Sequence, residues 1–125
     1  MQNPVGWFEI YVSDMQRAKA FYETVLSQTL AEMPSPLEGL TMYAFFSPMA
    51  QGGTGAGGAL VSHPMRKPSA DGTLVYFSCA DCAVEASRVA AAGGTLARGK
   101  TPIGAFGFIA LALDTEGNSI GFHSF

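Results

Sequence analysis

The sequence predicts an α+β domain made of two βαβββ modules whose sheets join around a shared cleft. Three observations predict it. The order strand, helix, three strands occurs twice along the chain, in hydrophobic patterns that switch between a period of two and a period near 3.6. An aspartate caps each helix, with Asp81 following Asp14 by 67 positions and Leu96 following Leu30 by 66, so SDMQRAKAFYETVLSQTL answers ADCAVEASRVAAAGGTL with a shift of one residue. The 125 residues, 48% hydrophobic and 14% charged, suit a single core. A unit of about sixty residues would bury its own sheet poorly. The expected organisation is one domain over residues 1–125, with modules 1–63 and 72–125 and a linker at 64–71.

The first strand lies in WFEIYVSD, residues 7–14. Side chains alternate across a strand, so Phe8, Ile10 and Val12 form a core face while Trp7, Glu9 and Tyr11 form the other. The second face mixes aromatic bulk with a carboxylate and a phenol, which suits the wall of a cleft. Ser13 and Asp14 can cap the helix that follows, and Gln16, three residues after Ser13, completes a capping-box pattern. Ala18, Phe21, Tyr22, Val25 and Leu26 then recur at amphipathic helical spacing. QTLAEM, GLTMYAFF and GGALVSH are strands divided by Pro-rich and Gly-rich loops. In the second module TLVYFSC is a strand, Asp81 a cap, CAVEASRVAAA a helix, and GTLARG, GFIALAL and NSIGFHSF the remaining strands.

Charge narrows the function classes. A net charge of −3 gives no footprint for nucleic acid, and Arg66 with Lys67 is only a loop dipeptide. The start, MQNPVGWFEI, lacks the pattern of a signal peptide, and no apolar stretch approaches the roughly 18 residues that span a bilayer. No membrane partner and a cytoplasmic location are expected. Two cysteines do not make a disulfide framework and fit a reducing compartment.

Two local patterns invite other readings. CADC, Cys79–Cys82, is a C-x-x-C at a strand-to-helix junction, where a helix N-terminus can lower the pKa of the Cys82 thiol. Cys79 shares the Phe77 side of its strand, which faces the helix and not the cleft, and a thioredoxin-like strand order is missing. GTGAGG, Gly53–Gly58, matches G-x-G-x-x-G, but only ALVSH follows before Pro64, too short for the helix that phosphate binding requires.

The V-x-D-M-x-R-A-x-x-F-Y pattern at Val12–Tyr22 (with Ser13 at the first variable place), the Ala-Gly-Gly after the second helix and the closing D-T-E-G-N-S-I resemble the vicinal-oxygen-chelate superfamily of glyoxalases, bleomycin-resistance proteins and extradiol dioxygenases. The resemblance covers nearly the whole chain. It implies a curved eight-stranded mixed sheet around a cavity, a small-molecule ligand and a homodimer. It also implies His or Glu metal ligands on the first and last strands of each module. Those positions carry over onto Trp7, Leu74, Gly121 and, less securely anchored, the neighbourhood of Leu60. None of these side chains offers the oxygen or imidazole donors that zinc, nickel, manganese or iron require, so no metal and no cofactor are expected.

Two residues further along the same strands stand Glu9, Ser62, Tyr76 and His123. Glu9 is expected to approach Ser62, and Tyr76 to approach His123. The candidate ligand-binding residues are Trp7, Glu9, Tyr11, Ser62, Tyr76, Phe106 and His123, with Met42, Tyr43 and Phe108 either pocket or core. TPIGAFG, around Phe106, is a candidate flap. The expected function is metal-free binding of a small aromatic or carbonyl-containing molecule. The alternative is a glyoxalase-like lyase or isomerase, either with Glu9 as general base and His123 or Tyr76 as acid, or with a relocated metal on Glu9, His123 and His63.

Overall fold

The computed structural model describes Val5 and residues 7–34, 38–45 and 55–125. The first module contains β1 (Trp7–Tyr11), α1 (Met15–Leu26), β2 (Ala31–Met33), β3 (Thr41–Ala44) and β4 (Gly57–Ser62). The second contains β5 (Val75–Ser78), α2 (Cys82–Arg88), β6 (Thr95–Pro102), β7 (Phe108–Leu113) and β8 (Ser119–Ser124). Both βαβββ orders are as the sequence predicts. Phe46, placed in the third strand from sequence, and Gly53 and Thr54 of the glycine-rich stretch lie outside the described residues. Gly57 and Gly58 belong to β4, so the glycine-rich stretch runs into a strand.

Each module folds as its own four-stranded mixed sheet, in the orders β1-β4-β3-β2 and β5-β8-β7-β6. First and last strands of a module are parallel neighbours: β1 pairs with β4 and β5 with β8. The eight strands therefore divide into two ladders, and β1 and β5 are each the edge of their own sheet. These edges meet across a seam where Phe8 and Phe77 pack edge to face, 6.2 Å between ring centres.

Asp14 alone caps α1, its Oδ1 accepting from the Arg17 amide at 3.1 Å. The capping box expected from Ser13 and Gln16 does not form, because the amides of Ser13 and Asp14 both donate to Glu116 Oε1, at 2.9 and 2.8 Å. Asp81 caps α2 through Ala83 N. The second helix is shorter than the sequence predicts and gives way to turns at Val89.

Ala18, Phe21, Tyr22 and Val25 form the buried stripe of α1, as their spacing predicts. They pack with Ile10, Leu60 and Phe45 of the first module and with Ala86, Ala110, Ile120 and Phe122 of the second, in one core between the helices and the inner faces of both sheets. A satellite cluster of Met42, Ala59 and Val61, with Tyr11, Met33 and Leu40 against it, covers part of the outer face of the first sheet.

The turn after β7 ties the halves together. Asp114, 4% exposed, accepts from the Tyr22 hydroxyl at 2.6 Å, from Asn118 Nδ2, and from the amides of Glu116 and Asn118. Asn118 donates on to the Tyr11 carbonyl at 2.8 Å and accepts from the Ser69 amide at 2.9 Å. Residues 64–71 leave a turn closed by the His63–Arg66 bridge and are pinned at Ser69 and at Ala70, whose carbonyl accepts from the Ser119 hydroxyl.

Candidate functional site

Strand pairing decides which side chains look away from the helices. Trp7, Glu9 and Tyr11 stand opposite Gly57, Ala59 and Val61, and directly paired residues share a face. The outer face of the first sheet therefore carries the Trp7–Glu9–Tyr11 row. In the second sheet Tyr76 pairs with Gly121 and Ser78 with His123, which in turn faces Ile109 on β7.

This register corrects one placement. Leu60 is the partner of Ile10, so Ser62, two residues on, shares the helix-side face of β4 with Leu60 and not the face of Glu9. Ser62, the last residue of β4, lies near Val12, Gly39 and His63, and the expected approach of Glu9 to Ser62 does not occur. Two of the aromatic candidates are also turned inward. Tyr43 pairs with Leu60 and carries the Lys19 ammonium 5.6 Å from its ring centre, and Phe108 packs against the core.

Glu9 is held by its own strand. Trp7 Nε1 donates to Oε2 at 3.2 Å and the Tyr11 hydroxyl donates to Oε1 at 2.9 Å. The indole and phenol orient the carboxylate without neutralising it, and each oxygen keeps a free lone pair. Burial first, and then the bond to Glu9, push the Tyr11 hydroxyl above its ordinary pKa, so it stays a donor at neutral pH. Arg66 lies over the Tyr11 ring at 5.6 Å, and His63 meets the same ring edge-on at 6.2 Å. His63 Nδ1 is occupied by the Met65 amide at 2.9 Å.

On the second sheet Tyr76, Ser78, Ile103, Ile109 and His123 line an open hollow of about 500 Å³. His123 Nε2 lies 2.6 Å from the Phe106 carbonyl, which can only accept, so the ring proton is on Nε2. Nδ1 is then the ring atom left to bond a ligand. That contact fastens a 3-10 turn, Gly104–Phe106, whose base closes through Ile103 N to the Gly107 carbonyl at 2.8 Å. Gly107 needs its glycine twice over: φ is +95°, and a Cβ would overlap the Ser124 carbonyl. Phe106 at the tip is 73% exposed.

The structure thus gathers Trp7, Glu9 and Tyr11 in one row, and Tyr76 and His123 in one hollow. Glu9 lines a cavity beside β1 that contains neither Tyr76 nor His123, and the hollow around Tyr76 and His123 does not include Glu9. Sequence reasoning missed the seam cavities, which have no local signature. The larger, about 610 Å³, lies between Phe8, Leu26 and Phe45 on one side and Leu74, Tyr76 and Phe77 on the other.

The cysteines take no part in either set. Cys82 is fully buried, and burial together with the Glu85 carboxylate raises the Cys79 thiol to about 12. It remains protonated, the wrong state for thiol exchange.

A model of the glyoxalase/bleomycin resistance protein/dioxygenase superfamily matches residues 5–122. The chain belongs to that superfamily. The superfamily fold extends to solved structures at low identity. A glyoxalase/bleomycin resistance protein from Albidiferax ferrireducens T118 is 18% identical with a TM-score of 0.71, over 98% of this chain and 100% of that one. A glyoxylase/bleomycin resistance protein/dioxygenase domain from Frankia sp. EAN1pec is 16% identical at 0.71, over 99% and 98%. Glyoxalase I from Zea mays is 17% identical at 0.67 over 94% of this chain, which spans only 44% of its length. No curated protein matches.

The metal positions that the superfamily implies do not fit a metal in this member. At Gly121 the space a side chain would need is filled by the Tyr76 ring, which a Cβ there would overlap. Trp7 can only donate through its indole, Leu74 has no lone pair, and Leu60 is buried in the core. The open-face residues beside Leu60 are Ala59 and Val61, equally without donors. Glu9, His123 and His63 do not gather either: no three His, Cys, Asp or Glu among the described residues come together as a ligand set.

Proposed function

We propose that this superfamily member binds a small aromatic or carbonyl-containing molecule without a metal, on the open sheet faces. One observation carries the reading: an apolar hollow around Tyr76, Ile103 and Ile109 contains one oriented polar ring, His123, whose proton is committed to the flap and whose Nδ1 can meet a ligand N–H or O–H. Binding sites for small molecules are commonly of this make-up, mostly apolar with a few placed polar atoms. Tyr76 and Trp7, 43% and 42% exposed, supply ring faces, and Phe106 closes over the bound molecule. Glu9 and Tyr11 extend the surface on the first sheet; Ser62 is no part of it. A homodimer in which a second copy covers part of these faces, and a cytoplasmic location consistent with two free cysteines, complete the proposal.

The test is a thermal-shift screen of aromatic aldehydes, ketones and phenols on chelator-treated protein. A ligand at a hundredfold excess over its Kd stabilises by about 2.7 kcal/mol. Tyr76→Ala and His123→Ala should each abolish most of that stabilisation. Binding that requires an added divalent metal overturns the reading. The unneutralised carboxylate of Glu9 keeps one alternative in play, a lyase or isomerase with Glu9 as base. Turnover of a screened ligand, lost in Glu9→Gln, would establish it. Light scattering at micromolar concentration decides the dimer.

A further inference from the structure

Glu9 also lines a second cavity, of about 400 Å³, at the seam between β1 and β5. Its floor is apolar, from Phe8, Ile10, Val75 and Ile120, and Lys67 and Thr73 stand on its rim. The segment carrying Lys67 is pinned to the second module at Ser69, whose amide donates to Asn118, and at Ala70, whose carbonyl accepts from Ser119. Two opposite charges therefore share one cavity and pair neither with each other nor with any other described residue. Glu9 is fixed in place by neutral donors on both oxygens, and Lys67 forms no hydrogen bond among the described residues. Both charges are exposed and solvated, and a ligand bearing both complementary charges exchanges water at each for a charge-assisted bond.

The geometry points to a site for a small zwitterion of the α-amino acid type. Its ammonium bonds the free lone pairs of Glu9, its carboxylate takes Lys67, and an apolar side chain lies over Phe8, Ile10, Val75 and Ile120. The site goes beyond the open-face reading and shares Glu9 and Tyr11 with it. Lys67 and Thr73 line this cavity and not the hollow, whereas Tyr76 and His123 line the hollow and not this cavity. Both charges are exposed enough to be screened, so binding weakens with salt.

Isothermal titration at low salt with L-phenylalanine, phenethylamine and 3-phenylpropionate tests this on the intact protein. The amino acid should bind at least about tenfold more tightly than either singly charged analogue, the usual effect of losing one charge-assisted bond. Lys67→Met should bring L-phenylalanine down to the affinity of phenethylamine, and Tyr76→Ala should leave it unchanged. Equal affinity for all three compounds, no detectable heat at millimolar concentration, or indifference to Lys67→Met overturns the site. A result in which Tyr76→Ala eliminates an aromatic carbonyl ligand but not L-phenylalanine separates the two sites. Because the analogue series uses unaltered protein, a poorly folded variant does not spoil the test.

Discussion

Gly121 is a glycine for a reason that only its neighbour explains. Its Cα faces Tyr76 across the β5–β8 ladder, and the phenol ring occupies the space where any side chain would begin. Gly58 stands in the same relation to Phe8 across β1–β4, but toward the core. Adding a methyl at either place forces a ring from its rotamer, at a cost of about 1–3 kcal/mol. Gly58→Ala should act on stability alone, whereas Gly121→Ala should also tilt Tyr76 and weaken ligands of the hollow; urea unfolding and the thermal-shift screen read the two effects. At this scale the sequence was legible where a strand alternates. β1 alternates, and Trp7, Glu9 and Tyr11 were phased from it. In β4 the residues from Gly57 to Val61 are all buried, so no polar–apolar alternation marks which face Leu60 and Ser62 take. A slip of one residue exchanges the faces of a strand, and that is the error at Ser62.

Helix α1 is anchored less by its cap than by the turn between β7 and β8. The Glu116 side chain is enclosed and accepts from Ser13 N, Asp14 N, the Thr115 hydroxyl and both Nε and Nη2 of Arg17, the closest at 2.7 Å. Burial opposes its ionisation, but the Arg17 bond and the two helix-start amides outweigh it and hold the carboxyl at about 2. A folded pKa below the unfolded one contributes stability that is complete above the ordinary carboxylate range and is lost as pH falls from there toward 2. Acid unfolding of the native chain should therefore show a steep limb below about pH 4.3. Glu116→Gln should flatten that limb and, by leaving Arg17 and an amide poorly paired, cost about 1.5–3 kcal/mol at neutral pH. The start of α1 was legible from Asp14. The anchor was not, because a bond across about a hundred positions leaves no local period, and D-T-E-G-N stood out only as a piece of a resemblance.

Across the whole molecule, the repeat makes two modules legible while concealing that they are one folding unit. The interior joins Phe8, Tyr22 and Phe45 of the first module to Phe77 of the second, with ring centres 5.6 to 6.2 Å apart. Arg88 of α2 donates to the Val25 carbonyl of α1 at 3.1 Å, and Tyr22 donates into the Asp114 turn. Neither half retains a closed core when the other is removed, so residues 1–71 should not fold alone. The full chain offers a clean check, since Trp7, its one tryptophan, reports on the first module. Phe77→Ala removes a ring of the second module that touches three of the first. It should cost about 3 kcal/mol, the lower part of the usual range for a core phenylalanine because Phe77 is only partly buried. If the core is shared, the urea midpoint followed by Trp7 fluorescence falls by as much as the midpoint followed by far-ultraviolet circular dichroism, and the two curves stay superimposed. Fluorescence that holds its midpoint while the dichroism midpoint drops would mean that the modules unfold separately. The seam would then be a contact between two bodies and not the interior of one.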